Sequence, residues 1–262
     1  MNIIVCIKQV PGTSEVEVDQ ETGVLKREGI DSKMNPYDLF AIETAIKIKE
    51  ENSAKVSVIS MGPPQAAEII REAYMMGVDE GALISDRVFG GADVLATSYT
   101  ISQGVQKFGQ YDLIICGKQT TDGDTAQVGP ELAEFLKIPH IANVKKIVEV
   151  KEHSIIVDMD MPHAVQTVEV NYPCLITVEK DINQPRLPSF KRKMATKNQA
   201  IPIYSFNDFI DQNENNYGIN GSPTRVIRIF SPEANNDREM WKDTPGVLVD
   251  RLVNKLKELK YV

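Results

Sequence analysis

The sequence predicts an α/β protein: a doubly wound parallel sheet with helices on both faces, an antiparallel extension, and a C-terminal arm ending in a helix. Three observations carry that prediction. Strand-like apolar runs alternate with helix-period segments through the first half of the chain, which is the spacing of βαβ units. The run Leu113-Ile114-Ile115-Cys116 is continuously apolar, as suits a strand covered on both faces, and it stops at Gly117. After His140 the rhythm changes to β-rich segments with short turns, and from about Ile201 to a polar, Asn-rich stretch of weak periodicity.

Composition narrows the function classes. The chain has 262 residues, 42% hydrophobic and 25% charged, which is ample for a full core. Its 29 Lys and Arg against 37 Asp and Glu give a net charge of −8, which opposes nucleic acid and anionic membranes as partners. No apolar run approaches the roughly 20 residues a bilayer span requires. The opening MNIIVCIKQV is short and lightly charged for a signal peptide and reads as a first strand. Cys6, Cys116 and Cys174 show no short spacing, and two of them fall in expected buried strands, where a thiol acts as a small hydrophobe. His140, His153 and His163 form no metal-ligand pattern. These features fit a reducing cytoplasm.

Taken in order, Asn2 to Ile7 is a strand that leaves through Pro11-Gly12. Alternation over Glu15–Asp19 and Val24–Arg27 across a Glu-Thr-Gly turn predicts a small hairpin. Asn35 as N-cap, Pro36 at the first helical position and Asp38 in the first turn predict a helix to about Glu51. Lys55 to Ser60 is a second strand, ending at Met61-Gly62-Pro63-Pro64, with a helix from Gln65 to Met76. Gly81 to Ser85 is a third strand, and Gly90-Gly91-Ala92-Asp93 opens a helix to about Phe108. Tyr111 to Cys116 is the fourth strand. Segments 144–150, 154–160, 165–170 and 175–178 read as an antiparallel meander. Asn183 to Lys197 is a proline-punctuated basic segment leading into a short helix, with Phe190 as an apolar anchor among cations. Residues 201–243 read as an extended arm, and Gly246 to Leu259 as a helix with Val249, Leu252, Val253 and Leu256 on one side.

In sheets of this kind ligands sit beyond the carboxyl ends of strands at a switch in strand order. The loop after the fourth strand is therefore the leading candidate, with donors expected from amides past the fourth strand facing those past the first. A buried strand, a Gly-bearing loop and a helix start offer free N–H groups to an anion. Asp124 followed three residues later by Gln127 reads as a capping box, and Pro130 starts the helix or sits in its first turns. Asp122 and Asp124 carry the wrong sign for a phosphate, so their side chains must turn away or cap amides. No Gly-Lys-Ser/Thr ends the loop, so it is not a Walker loop. An ordinary capped strand–loop–helix turn stays open as the alternative.

Five motifs in order, Cys6-Ile7-Lys8-Gln9-Val10, Met34-Asn35-Pro36-Tyr37-Asp38, Ser60-Met61-Gly62-Pro63, the Gly117–Pro130 loop and Asn183–Met194, give the chain a family likeness. Over essentially its whole length it resembles the beta subunit of electron-transfer flavoproteins. The resemblance implies an adenine-nucleotide-binding, HUP-like sheet in residues 1–200, and a 201–262 arm docking on a larger alpha subunit. It implies a cofactor held by Cys6, Asn35, Pro36, Tyr37, Asp38, Met61, Gly117, Lys118, Gln119, Thr120, Thr121, Asp122, Gly123, Asp124, Thr125, Ala126, Gln127 and Val128, many through backbone groups, with Thr97 approaching a flavin ring. Ordinary members hold AMP there. The tract from Asp122 to Pro130 looks like the electron-bifurcating group, in which an FAD takes that place, NADH is the donor, and ferredoxin or flavodoxin is the low-potential acceptor.

The segment around Phe190 and Met194 resembles the loop that grips an acyl-CoA dehydrogenase-type partner. No side chain is implied as acid, base or nucleophile, because the flavin carries the chemistry. Outside this family, an ATP-cleaving enzyme would want a Ser/Gly-rich loop straight after strand one, where this chain has Lys8-Gln9-Val10-Pro11. A nucleotide-sensing module would leave the arm and the Phe190 segment without a role.

Overall fold

A computed structural model describes residues 1–12, 32–227 and 238–262. The hairpin expected over residues 15–27 lies outside them. The first half is built from β1 (Asn2–Cys6), β2 (Gln9–Pro11), β3 (Ser32–Met34), α1 (Pro36–Asn52), β4 (Lys55–Met61), α2 (Ala67–Met76), β5 (Glu80–Ile84), α3 (Val94–Phe108), β6 (Leu113–Gly117) and α4 (Val128–Leu136). The second contributes β7 (His140–Val150), β8 (Ser154–Met161), β9 (Ala164–Asn171), β10 (Cys174–Val178), α5 (Phe190–Ala195), β11 (Ile203–Tyr204) and α6 (Pro245–Glu258).

The main sheet runs β11-β5-β4-β1-β6-β10-β7-β8-β9, with β2 and β3 paired separately. From β11 to β7 all neighbours are parallel, and β8 and β9 add antiparallel strands at one end. The chain travels outward from β1 through β4 to β5, then returns to place β6 on the other flank of β1. Strand order therefore reverses between β1 and β6, the position where such sheets leave a crevice. Side-chain alternation divides the core. Ile3, Val5, Val56 and Val58 pack with α1 and α2 on one face. Ile4, Cys6, Ile59, Ile114 and Cys116 pack with α3 and α4 on the other.

Two sequence expectations are corrected here. Segments 144–150 and 175–178 were expected in one antiparallel meander, yet β10 is inserted between β6 and β7 and is parallel to both. All five residues of Cys174–Val178 are buried, the pattern of a central parallel strand, and apolar content alone does not specify the pairing partner. The stretch after Ile201 was expected as arm, yet its first part belongs to the body. Ile203 and Tyr204 pair with Leu83 and Ile84 at the sheet edge. Phe209 and Tyr217 are buried, and the Tyr217 hydroxyl donates to the Asp211 carbonyl at 2.6 Å. Tyr217 also meets Phe89, Tyr99, Phe206 and Phe209 at ring-centroid distances of 5.3 to 6.2 Å. A short polar stretch can be anchored by a few aromatics, because each carries a large apolar area.

Among the described residues, 1–12 and 32–227 belong to one compact body and 238–262 to a second unit. Within the described part of that second unit, α6 presents Val249, Leu252 and Val253 exposed. The Arg251 guanidinium lies 4.8 Å from the Trp241 ring centroid.

Candidate nucleotide site

The crevice is built at the carboxyl ends of β1 and β6, where Cys6 and Cys116 face each other in register. Both thiols are free and buried, and the neighbouring Cys6 thiol together with burial pushes the Cys116 thiol well up. They are core residues of the crevice floor.

Above them sits Asp38, 4% exposed, in the first turn of α1. Its carboxylate accepts from the Lys8 amide at 2.7 Å and from Asn35 Nδ2 at 2.9 Å, and it also takes the Gly117 amide. Burial pushes its carboxyl up to about 7, against the pull of those donors and of the Lys8 ammonium. Gly117 has to be glycine at this approach: a Cβ there would lie 2.5 Å from Asp38 Oδ1 and 2.8 Å from the Tyr37 carbonyl carbon.

Asn35 occupies the N-cap position of α1 but makes no side-chain cap. Instead its fully buried amide crosses the crevice. Nδ2 donates to the Gln119 carbonyl at 2.9 Å, and Oδ1 accepts from the Thr121 amide at 3.3 Å. Pro36 takes the first helical position as expected.

The loop after β6 is tied down from within. The Lys118 amide donates to the Val178 carbonyl at 2.9 Å, and its Nζ pairs with Glu179 at 2.6 Å. Thr120 receives the amides of Gly123 on its hydroxyl and Asp124 on its carbonyl. Asp122 accepts from Lys8 Nζ through both oxygens at 2.8 Å and from the Gly123 amide at 2.8 Å. Burial would raise the Asp122 carboxyl, but Lys8 and these hydrogen bonds together hold it below its ordinary value. Asp124, with φ of +52°, accepts from the Gln119 side chain.

Of the amides expected as donors, those nearest the strand ends are already engaged. The amides of Lys8 and Gly117 are both taken by Asp38, because a buried carboxylate between the two strand ends claims the nearest N–H groups. Those left over are at the entrance of α4. Among the described residues, the amides of Thr125, Ala126, Gln127 and Val128 donate to no protein acceptor. Gln127 is the N-cap, so the capping box read from Asp124 does not form. Pro130 falls at the third helical position, where a missing N–H costs nothing. This run of open amides at a helix start, on an exposed loop, fits the phosphate part of a nucleotide.

Other expected residues stand further off. Met61, half-buried at the end of β4, packs toward the α3–α4 core, one strand from Cys6. Thr97 lies half-buried on α3, next to Ser98, whose hydroxyl reaches Glu131 on α4 at 3.2 Å. Phe190 and Met194 are exposed on α5, whose N-cap amide docks on the Met75 carbonyl of α2. Lys8 falls in the stretch Cys6–Gln9 that the sequence marks as suspect after the first strand. Sequence reasoning assigned its side chain no role there, although a cation immediately beyond that strand was its visible signal. It also passed over the anchor of the 183–197 segment. There Arg186 pairs with Glu43 at 2.8 Å and Glu50 at 2.6 Å, and Asn183 bonds Thr44 at 2.8 Å.

Comparison with known proteins agrees with this architecture. The electron transfer flavoprotein domain matches residues 22–208. The chain is 45% identical to the caffeyl-CoA reductase-Etf complex subunit CarD of Acetobacterium woodii, over 98% of each chain. It is 43% identical to the electron transfer flavoprotein subunit beta of Clostridium acetobutylicum, over the full length of both. It is 37% identical to the acryloyl-CoA reductase electron transfer subunit gamma of Anaerotignum propionicum, over 98% of each. With most of its length matched and near-complete coverage of its relatives, the chain belongs to the electron transfer flavoprotein family, among the beta subunits.

Proposed function

We propose that this chain is the beta subunit of an electron-bifurcating flavoprotein, holding FAD at the crevice between β1 and β6. The observation that carries the reading is the open amide run of Thr125–Val128 beside the strand-order switch, on a tract that resembles the FAD-holding group. In this reading those amides hold the phosphates, while Asn35 and Asp38 keep the loop and the two strand ends in place. Met61 and Tyr37 border the adenosine side, and Thr97 lies toward the flavin ring. A bound flavin supplies two-electron acceptance from a nicotinamide donor and one-electron delivery to separate acceptors.

The partners in this reading are a larger alpha subunit, which meets the 228–262 arm, and a ferredoxin or flavodoxin. An acyl-CoA reductase or dehydrogenase is the third, engaged through Phe190 and Met194. Two relatives carry caffeyl-CoA and acryloyl-CoA reductases in their names, which supports that class of partner. Among the described residues no helix is long and apolar enough to cross a membrane, and no metal-ligating cluster occurs.

Co-expression with the alpha subunit, followed by flavin counting, nucleotide extraction and NADH titration, tests the proposal. Two flavins per heterodimer, one reduced directly by NADH, are expected. One flavin with one AMP would overturn it in favour of a structural nucleotide.

A further inference from the structure

We propose that the Lys8–Asp122 ion pair is an exchange latch, in which a ligand phosphate displaces Asp122 from the Lys8 ammonium. The inference rests on reading the crevice as a nucleotide site. Lys8 is fixed at its root through its backbone and held at its tip by Asp122. Its amide donates to Asp38 at 2.7 Å, and its carbonyl accepts from the Asn35 amide at 2.9 Å. The four-carbon stem then carries the charge across to the loop, where both Asp122 oxygens take it at 2.8 Å.

The Asp122 side of the pair is built to let go. The pair is partly solvated, with side chains 44% and 32% exposed, so its net contribution is small. When Lys8 leaves, Asp122 keeps the Gly123 amide at 2.8 Å, so no carboxylate is orphaned. The second loop carboxylate, Asp124, is held by the Gln119 side chain and places no claim on Lys8.

Electrostatics give the exchange its direction. The open amides of Thr125–Val128 begin three residues after Asp122 on the same loop, so a phosphate arriving there meets a carboxylate of its own sign. Lys8 is the cation paired with that carboxylate. The diphosphate of a dinucleotide carries two negative charges and more acceptor oxygens than one carboxylate, and it competes favourably for an ammonium. Transfer of Lys8 to the ligand removes the staple between the end of β1 and the loop. It makes Lys8 a reporter of phosphate rather than of the nucleoside.

The test separates the latch from a plain staple by sign. Binding of ADP, AMP and adenosine to the nucleotide-stripped full-length chain is measured by calorimetry for the wild type, Lys8→Met and Asp122→Asn. Lys8→Met should weaken ADP by about tenfold or more, the loss expected for one charge-assisted hydrogen bond, and leave adenosine near its wild-type affinity. Asp122→Asn, which frees Lys8 yet keeps an acceptor for Gly123, should tighten ADP several-fold. A gain cannot come from misfolding. Weaker ADP binding in both variants, or adenosine shifting as far as ADP, overturns the latch and leaves the crevice assignment standing. A wild-type chain that binds none of the three removes the crevice assignment and the latch together.

Discussion

The Asp38 carboxylate accepts from the amides of Lys8 and Gly117 while lying almost wholly out of solvent, so one ionisable group is shared between two strand ends. Burial lifts its carboxyl from 3.8 to about 7. The folded chain therefore keeps this proton in a range where the unfolded chain has lost it. Its contribution to stability falls as pH rises from about 4 to about 7, by at most about 1.4 kcal/mol per pH unit, and is level above that window. Asp38→Asn should remove this component of the slope. Urea unfolding of both proteins across that range checks it, and parallel stability–pH curves would refute it. The presence of Asp38 in a first helical turn was legible in the sequence. Its inward turn was not, because a first-turn acid ordinarily faces solvent and the helix dipole. Asn35 misled in the same way: its cap position was right, but its side chain serves the opposite wall of the crevice. Residue type marks where the chain turns, and only the fold decides what lies within reach.

Elements were legible where period and punctuation agreed. The strands that became β1, β4, β5 and β6 fell within a residue or two of expectation, because each is an apolar run bounded by turn residues. The placement of β10 was hidden, since a fully buried strand carries no mark of its neighbours. The 183–197 segment shows how a loop is held without a core. Arg186 makes charge-assisted bonds to Glu43 and Glu50 on α1, and its guanidinium pKa is raised by Glu50 and Glu43. Glu43 has only 4% of its side chain exposed. Arg186→Ala leaves that carboxylate without its cation and should cost about 3 kcal/mol, the lower end for breaking a buried pair. Adding Glu43→Gln should restore part of the loss. Thermal unfolding of the single and double variants decides this, and additive losses would show that the two residues act separately.

At the scale of the whole molecule, the proposed function assigns two surfaces to other chains. Phe190 and Met194 are 76% and 60% exposed on α5, and truncating them should leave stability within about 0.5 kcal/mol. Electron transfer to an acyl-CoA partner should fall sharply in Phe190→Ala and Met194→Ala. Unchanged turnover with that partner would remove α5 from the docking surface. The arm is the second surface. A chain ending at residue 227 keeps β11, Phe209 and Tyr217, and should unfold cooperatively at close to the full-length temperature while failing to co-purify with the alpha subunit. Loss of cooperative unfolding would mean that the arm is part of the core. The change at Ile201 was visible as a drop in periodicity, but the boundary was placed some 27 residues early (227 − 200) because scattered aromatics in a polar stretch give no repeating signal.

Closure of the body at Tyr217 bears on the order of events during translation. Among the described residues, every strand of the sheet and both halves of the crevice precede residue 228, and domains fold as units from the N-terminal side as they are made. Residues after 227 therefore emerge from the ribosome once the body has all of its described strands. In the proposed reading, capture of a second subunit by residues beyond 227 follows completion of the body, and the crevice can be loaded before that capture.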